Sequence, residues 1–287
     1  MKLGVITDCF HRSLTDSIRL ASELGFEGIQ IYATGGEFSP DVLGAQEKRN
    51  IRSELHAAGL EISALCGDMG GYGFEIAEDN PVRIEKTKRI IDLAAEFETA
   101  VVTTHIGVIP ADKKDECYGV MLDALTACGR YAKSHGVTLA IETGPEPAPV
   151  LYGFVQDTAG GVGVNLDPAN FVMVTGQDPV EAVRLLGKKI VHTHAKDGVM
   201  LRQTDPKIIY DCFAQGGIEA LNVSDYFLET PLGEGQVDFP AYLDALQAVG
   251  YCGYLTVERE TGEDPISDIR RAGEALRALL VSKKMGK

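Results

Sequence analysis

Cysteine chemistry is the first thing this chain does without. Six cysteines stand at positions 9, 66, 117, 128, 212 and 252, and no two make a Cys-x-x-Cys pair. Such spacing provides neither a disulfide framework nor a zinc-thiolate centre, and it reads as free thiols in a reducing cytoplasm. Long hydrophobic runs are missing too. No stretch approaches the roughly 18 to 20 consecutive apolar residues of a membrane span, so no membrane partner is expected. Met1 to Asp8 passes straight into a strand pattern, without the charged, apolar and cleavage regions of a secretory signal, and a cytoplasmic location is expected. Positive charge is scarce. Twenty-seven Lys and Arg face 42 Asp and Glu, for a formal charge of −15. That balance argues against a nucleic-acid partner, whose binding rests on cations that neutralise phosphates. No G-x-G-x-x-G or G-x-x-x-x-G-K-[ST] follows any apolar run, so the fingerprints of a dinucleotide or triphosphate site are absent.

What the chain does have is alternation. Short, nearly continuous apolar runs fall at about 2–8, 28–32, 60–65, 100–105, 138–142, 162–167, 190–194 and 254–258, as expected of parallel strands covered on both faces. Helical patterns lie between them: Leu14 to Leu24, Asp41 to Ala58, Pro81 to Phe97, Lys113 to His135, Asp178 to Leu186, Asp238 to Val249 and Pro265 to Lys283. Ser13 is a candidate N-cap, and Gly25, Gly59, Gly136, Gly187 and Gly250 follow helix ends. The weakest helix is the one between Pro145 and Gly161, whose start carries three prolines. Eight strands joined by helical crossovers predict an α/β fold, a (β/α)₈ TIM barrel, with residues 1–287 as a single domain. The segment from about 198 to 235 is too long for an ordinary βα loop and is a candidate lid or oligomer contact. A homo-oligomer, dimer or tetramer, is expected.

Four of the runs end on metal-binding residue types: Thr138 to Glu142, Val162 to Asp167, Ile190 through His192 to His194, and Tyr254 to Glu258. At one barrel mouth, two glutamates, an aspartate and a histidine would face a common point, and carboxylates gathered so closely call for a cation. Alone, each has a bland reading: a solvated strand-end glutamate, an Asp-Pro turn at Asp167, a core His-x-His pair. Their coincidence on successive strands carries the inference. Strand parity turns His192 and His194 inward together and Thr193 outward, with Lys196 continuing the inner face. Three carboxylates and an imidazole suit manganese first, with magnesium, cobalt and zinc as alternatives.

Glu142-Thr-Gly, Asn165-Leu-Asp167-Pro-Ala-Asn170, His192-Thr-His194-Ala-Lys196-Asp197, the Pro231 to Asp238 stretch and Gly253-Tyr-Leu-Thr-Val-Glu258-Arg-Glu260 resemble the sugar phosphate isomerase/epimerase family, a xylose-isomerase-like barrel. The similarity spans nearly the whole chain, with its strong motifs after residue 138. It implies one divalent ion held by Glu142, Asp167, His194 and Glu258, and substrate contacts from Lys196, Asp197 and His105. Three positions depart from the ketose 3-epimerase pattern: Asn170 stands where those enzymes have His, Ala148 where they have Glu, and Met200 where they have Arg.

The chemistry expected is isomerisation or epimerisation of a small-molecule sugar by proton transfer next to a carbonyl, through a metal-stabilised enediolate. Glu142 and Glu258 would be ligand and acid/base in one, and Lys196 would serve the oxygen that gains charge. His192, one layer deeper, would orient a ligand. Asn170 and Glu146 would reach sugar hydroxyls. The alternative is a metal-dependent dehydratase or lyase on a keto-cyclitol or 3-keto sugar. A DNA-repair enzyme like the apurinic endonucleases is disfavoured by the charge and by only six histidines. A phosphorylated substrate would need cations at the mouth, where Arg202, Lys207 and Arg259 are candidates by position alone.

Overall fold

Ten strands form among the residues described by the computed structural model, 1–217 and 221–285. They are β1 (Lys2–Ile6), β2 (Gly28–Tyr32), β3 (Glu61–Cys66), β4 (Val101–Thr104), β5 (Thr138–Glu142), β6 (Val162–Leu166), β7 (Ile190–Ala195), β8 (Asp197–Met200), β9 (Phe227–Thr230) and β10 (Tyr254–Val257). Eight of them pair in parallel around a closed barrel in the order β1-β2-β3-β4-β5-β6-β7-β10. Each is the core of one of the eight apolar runs. The chain is thus the single-domain (β/α)₈ barrel that its alternation predicts.

The helices are α1 (Leu14–Glu23), α2 (Ala45–Ala58), α3 (Asn80–Glu96), α4 (Glu116–Ser134), α5 (Ala148–Asp157), α6 (Pro168–Asn170), α7 (Pro179–Leu186), α8 (Pro206–Ala214), α9 (Phe239–Ala248) and α10 (Pro265–Met285). Two begin later than their sequence pattern. Residues 41–44 make a turn on the carbonyl of Ser39, which puts Gly44 at the N-cap of α2. Asp115 caps α4 by accepting from Cys117 N, so Lys113 lies outside it. The proline-rich stretch does yield α5, with Ala148 and Pro149 in its first turn, where a missing N–H costs nothing.

Most of the helix-facing shell is aliphatic, and Thr193 turns outward as parity requires, its hydroxyl meeting that of Tyr242 on α9. Inside the barrel the core is polar. Gln30, Thr103, Asn165, His192 and Thr256 are all buried there and bonded to one another in part. A barrel usually fills these layers with branched aliphatics. Here a hydrogen-bonded plug lies beneath the mouth.

The 198–235 segment contains elements that its turn-like composition conceals. β8 and β9 form an antiparallel ribbon, pairing Asp197 with Thr230 and Met200 with Phe227, and α8 lies between them. Residues 218–220 of this segment lie outside the described residues. The ribbon's base is closed by Asp197, whose carboxylate accepts from the backbone N–H of Gly198, Gly233, Gly235 and Val237. Gly235 must be glycine: a Cβ there would collide with the Asp197 carboxylate.

Candidate metal centre

Barrel register brings four strand ends together. Glu142 is the last residue of β5, Asp167 and Glu258 are the first beyond β6 and β10, and His194 lies near the end of β7, level with Thr256. Each offers one donor atom, and these atoms all lie within 4.8 Å of one another in a buried cluster. His194 Nδ1 is the hub, 2.8 Å from Glu258 Oε2 and 3.4 Å from both Glu142 Oε1 and Asp167 Oδ2. None of these approaches is aligned as a hydrogen bond. His194 Nδ1, Asp167 Oδ2 and Glu258 Oε2 are all buried without a hydrogen-bond partner among the described residues. Buried polar atoms left bare in this way are rare, and three converging on one point fit a cation.

Asp167 reconciles its two sequence readings. Oδ1 caps α6, accepting from Ala169 N at 2.7 Å and Asn170 N at 3.1 Å, while Oδ2 faces the centre. The Asp-Pro turn and the candidate ligand are one residue using two oxygens. Glu142 Oε2 accepts from Asn165 Nδ2 at 3.2 Å, which fixes its carboxylate and leaves Oε1 toward His194. Glu258 Oε1 lies 3.6 Å from Lys196 Nζ.

Burial alone would drive both histidines neutral. At His194 the Glu142, Glu258 and Asp167 carboxylates outweigh that and raise the imidazole well above its ordinary range. A divalent ion would take the place of that proton, because only the neutral ring coordinates. His192 has no such company, and burial followed by repulsion from His194 lowers it well below the usual value. His192 makes no hydrogen bond to a candidate ligand, but its ring stands edge-on to that of His194, centroids 6.0 Å apart. Its Nε2 and that of His194 share Gln30 Oε1, at 3.0 and 3.2 Å. His194 Nε2 lies between Gln30 Oε1 and Asn165 Nδ2, the latter at 3.1 Å, so the ring presents Nδ1 to the carboxylates.

Around this floor opens a cavity of about 530 Å³. His105 lines it, held by Asp68 Oδ2 at 3.1 Å with Nε2 3.8 Å from Glu142 Oε1. Desolvation opposes its charging, but Glu142, Asp68 and Glu258 outweigh that and lift its pKa to about 10. Lys196 also lines the cavity, its ammonium 2.6 Å from Glu260 and 3.6 Å from Glu229 and Glu258. Those carboxylates overcome burial and hold the amine well above its usual pKa. Asn170 lies on the wall, with Nδ2 on the Thr143 carbonyl at 3.0 Å and 3.5 Å from Glu142.

Two expected contacts are corrected. Asp197 does not line the cavity: its carboxylate is taken up by the four N–H groups at the ribbon base. Glu146 is absent from the cavity too, and lies on a separate groove with Pro145, Pro147 and Lys207. The chain turns off the strand axis at Thr143 and Gly144, so strand parity no longer governs position 146. Burial raises the Glu146 carboxyl to about 8, and its Oε2 has no partner among the described residues.

Sequence reasoning missed Gln30, Asp68 and Glu229. Gln30 was detectable as the single polar residue within Gly28-Ile-Gln-Ile-Tyr32. Asp68 is an acid two residues past the end of β3, close to the offset of the strand-end ligands. Glu229 gave no signal. It reaches the site from β9, where Oε1 accepts from Arg259 Nη1 and from the backbone N–H of Glu260 and Thr261.

The architecture has relatives. A family model for xylose isomerase-like TIM barrels matches residues 18–279. The rhizopine catabolism protein MocC of Rhizobium meliloti is 34% identical over 257 residues, 85% of this chain and 73% of that protein. Among solved structures, a xylose isomerase domain protein from Planctomyces limnophilus superposes with a TM-score of 0.78 at 25% identity, covering 97% of this chain and 96% of its own. A xylose isomerase-like barrel from Mycobacterium smegmatis, solved in complex with magnesium, gives 0.72 at 19% identity over 98% and 97% of the two chains. With the closed barrel observed and a family model matched over residues 18–279, this chain belongs to the xylose isomerase-like TIM barrel family.

Proposed function

We propose that the protein is a divalent-metal-dependent sugar isomerase or epimerase that moves a proton next to a carbonyl. The observation that carries the reading is the meeting of Glu142, Asp167, His194 and Glu258, with three of their buried donor atoms bare. These four residues would hold the ion, and manganese is the ion proposed for three carboxylates and one imidazole. When bound, a divalent cation supplies charge neutralisation for two neighbouring oxygens of a hydroxy-carbonyl unit.

The chain's own groups would do the rest. Glu142 and Glu258 stand three strands apart around the ring, so they flank a substrate on the floor from two sides. One would remove the C–H proton and the other return it. Lys196, close to Glu258, would present a fixed positive charge to the oxygen that gains electron density. His192 and Gln30 orient His194, and Asn165 orients Glu142. The polar plug closes the barrel beneath the reacting centre. We place the enzyme in the cytoplasm as a homo-oligomer acting on a small molecule.

Elimination is a second reading, and His105 favours it. Its ring stands beside Glu142, where an acid could protonate a departing hydroxyl once the neighbouring proton has left. Proton exchange without loss of water separates epimerisation from dehydration, so product analysis distinguishes the two.

Metal analysis and solvent-deuterium incorporation test the main reading together. The protein should carry about one divalent ion per chain, and Glu258→Gln should cut exchange by a factor on the order of 10² to 10⁴. A Glu258→Gln variant that binds metal and exchanges at the original rate would remove Glu258 from the chemistry.

A further inference from the structure

We propose that this cavity selects an uncharged polyhydroxy ketone and rejects phosphorylated or carboxylated sugars, an inference that rests on the proton-transfer reading. The argument is an inventory of positive charge. No arginine lines the cavity among the described residues. Beyond His194, its cationic side chains are Lys196 and His105; Glu260 at 2.6 Å holds Lys196 beside Glu258 at the reacting centre, away from a distant phosphate, and Asp68 at 3.1 Å holds His105.

The cations that sequence position offered to a phosphate lie outside the cavity lining and are already engaged, two of them by the wall carboxylates Asp211 and Glu229. Arg202 lies over the Tyr226 ring at 4.1 Å, outside the cavity wall. Lys207 pairs with Asp211 at 2.7 Å. Arg259 is buried between Glu229 at 2.8 Å and Asp268 at 2.9 Å.

The remaining walls also oppose an anion. The turn through Gly70, Gly71 and Gly73 faces the cavity and could lend backbone N–H groups, but Asp68 and Glu75 line the wall on either side of it. Asp68 already accepts from Gly70 N at 2.9 Å. Another part of the wall is apolar, built by Met173, Tyr210, Phe213 and Leu228. Aromatic and aliphatic surface suits the C–H face of a cyclic polyol, whereas a phosphate there would lose its hydration for nothing. Like charges brought together in a binding site cost several kcal/mol, enough for discrimination of about 100-fold or more.

The test uses the metal-loaded full chain with matched pairs: free ketopentoses, ketohexoses and keto-cyclitols, each beside its phosphate monoester. Deuterium exchange and calorimetric binding are measured for both members. The expected result is that at least one uncharged compound exchanges, with kcat/KM at least about 100-fold above its ester. Faster exchange of a phosphate ester overturns the inference and leaves the proton-transfer reading intact. If no compound exchanges, that reading fails and binding decides: a free polyol bound more tightly than its ester supports the inference. Tighter ester binding, or no polyol binding at all, overturns it. Glu260→Gln adds an independent arm. Releasing Lys196 should narrow the gap between each pair by about 10-fold, because a cation becomes available to the phosphate. An unchanged gap would refute the assignment of selectivity to the Lys196–Glu260 lock.

Discussion

The two arcs of the barrel mouth contribute different things. The arc from β5 through β6 and β7 to β10 supplies Glu142, Asp167, His194 and Glu258, the charge and the donor atoms. The arc from β1 to β4 supplies no candidate ligand. It supplies Gln30 beneath His194, Thr103 beneath Gln30, and the Asp68–His105 pair on the wall. One arc offers the donor atoms, and the other adds Gln30 to the orientation that Asn165 and His192 give from within the first. A residue type announces a bond-forming atom from the sequence, whereas orientation depends on what lies across the barrel.

The sharpest way to break this comparison is at Asp167, which belongs to the first arc but also does orienting work. Asp167→Asn keeps an oxygen to cap α6 and replaces a donor of the centre with an amide. Metal content should collapse and turnover should fall by roughly three orders of magnitude or more, while the melting temperature of the metal-free protein barely moves. Asp167→Ala should lose the cap as well and melt lower, by an amount matching about 1 kcal/mol. Elemental analysis and thermal melts of both variants decide it. Equal melting of the two would mean that the cap contributes nothing.

Gln30 tests the other arc. Gln30→Met removes the shared acceptor of both histidines without touching a donor atom, and should weaken metal affinity about 10- to 100-fold. Competition with a chelator measures this. Unaltered affinity would show that Asn165 and the carboxylates orient His194 by themselves.

The smallest effect concerns a carboxylate that sits near the first arc yet serves neither role. Glu146 has a folded pKa near 8, above its unfolded value of 4.5. Stability linked to it is therefore fully present below about pH 4.5 and is lost as pH rises toward and through 8, because the unfolded chain ionises first. Glu146→Gln should flatten that decline, leaving the variant more stable than the parent by up to a few kcal/mol near pH 9. Denaturant melts across pH check it, and parallel curves for the two proteins would show that Glu146 is solvated.

These arcs also explain what could be read in advance. Strand periods and helix stops are local, so eight strands and most helices were legible, and strand parity put Thr193 outside and His192 with His194 inside. The cap hidden in 198–235 was not, since an antiparallel pairing of Asp197 with Thr230 joins residues far apart in sequence. The five-residue π-turn at Phe171–Thr175 was equally silent; nothing in Phe-Val-Met-Val-Thr distinguishes it from a strand. The family resemblance, through His192-Thr-His194-Ala-Lys196-Asp197, offered Asp197 as a substrate contact. Its surroundings, four N–H groups from two chain segments, exist only once the ribbon closes.

That closure makes the whole excursion from Gly198 to Gly233 begin and end on one side chain. To the barrel it behaves as a short tether, whatever its contour length. The cap could be exchanged for one of different size or chemistry, like a blade on a common handle, while the floor of Glu142, Asp167, His194 and Glu258 stayed in register. A chimera carrying another ribbon on Asp197 would set a different wall above the same four-residue floor.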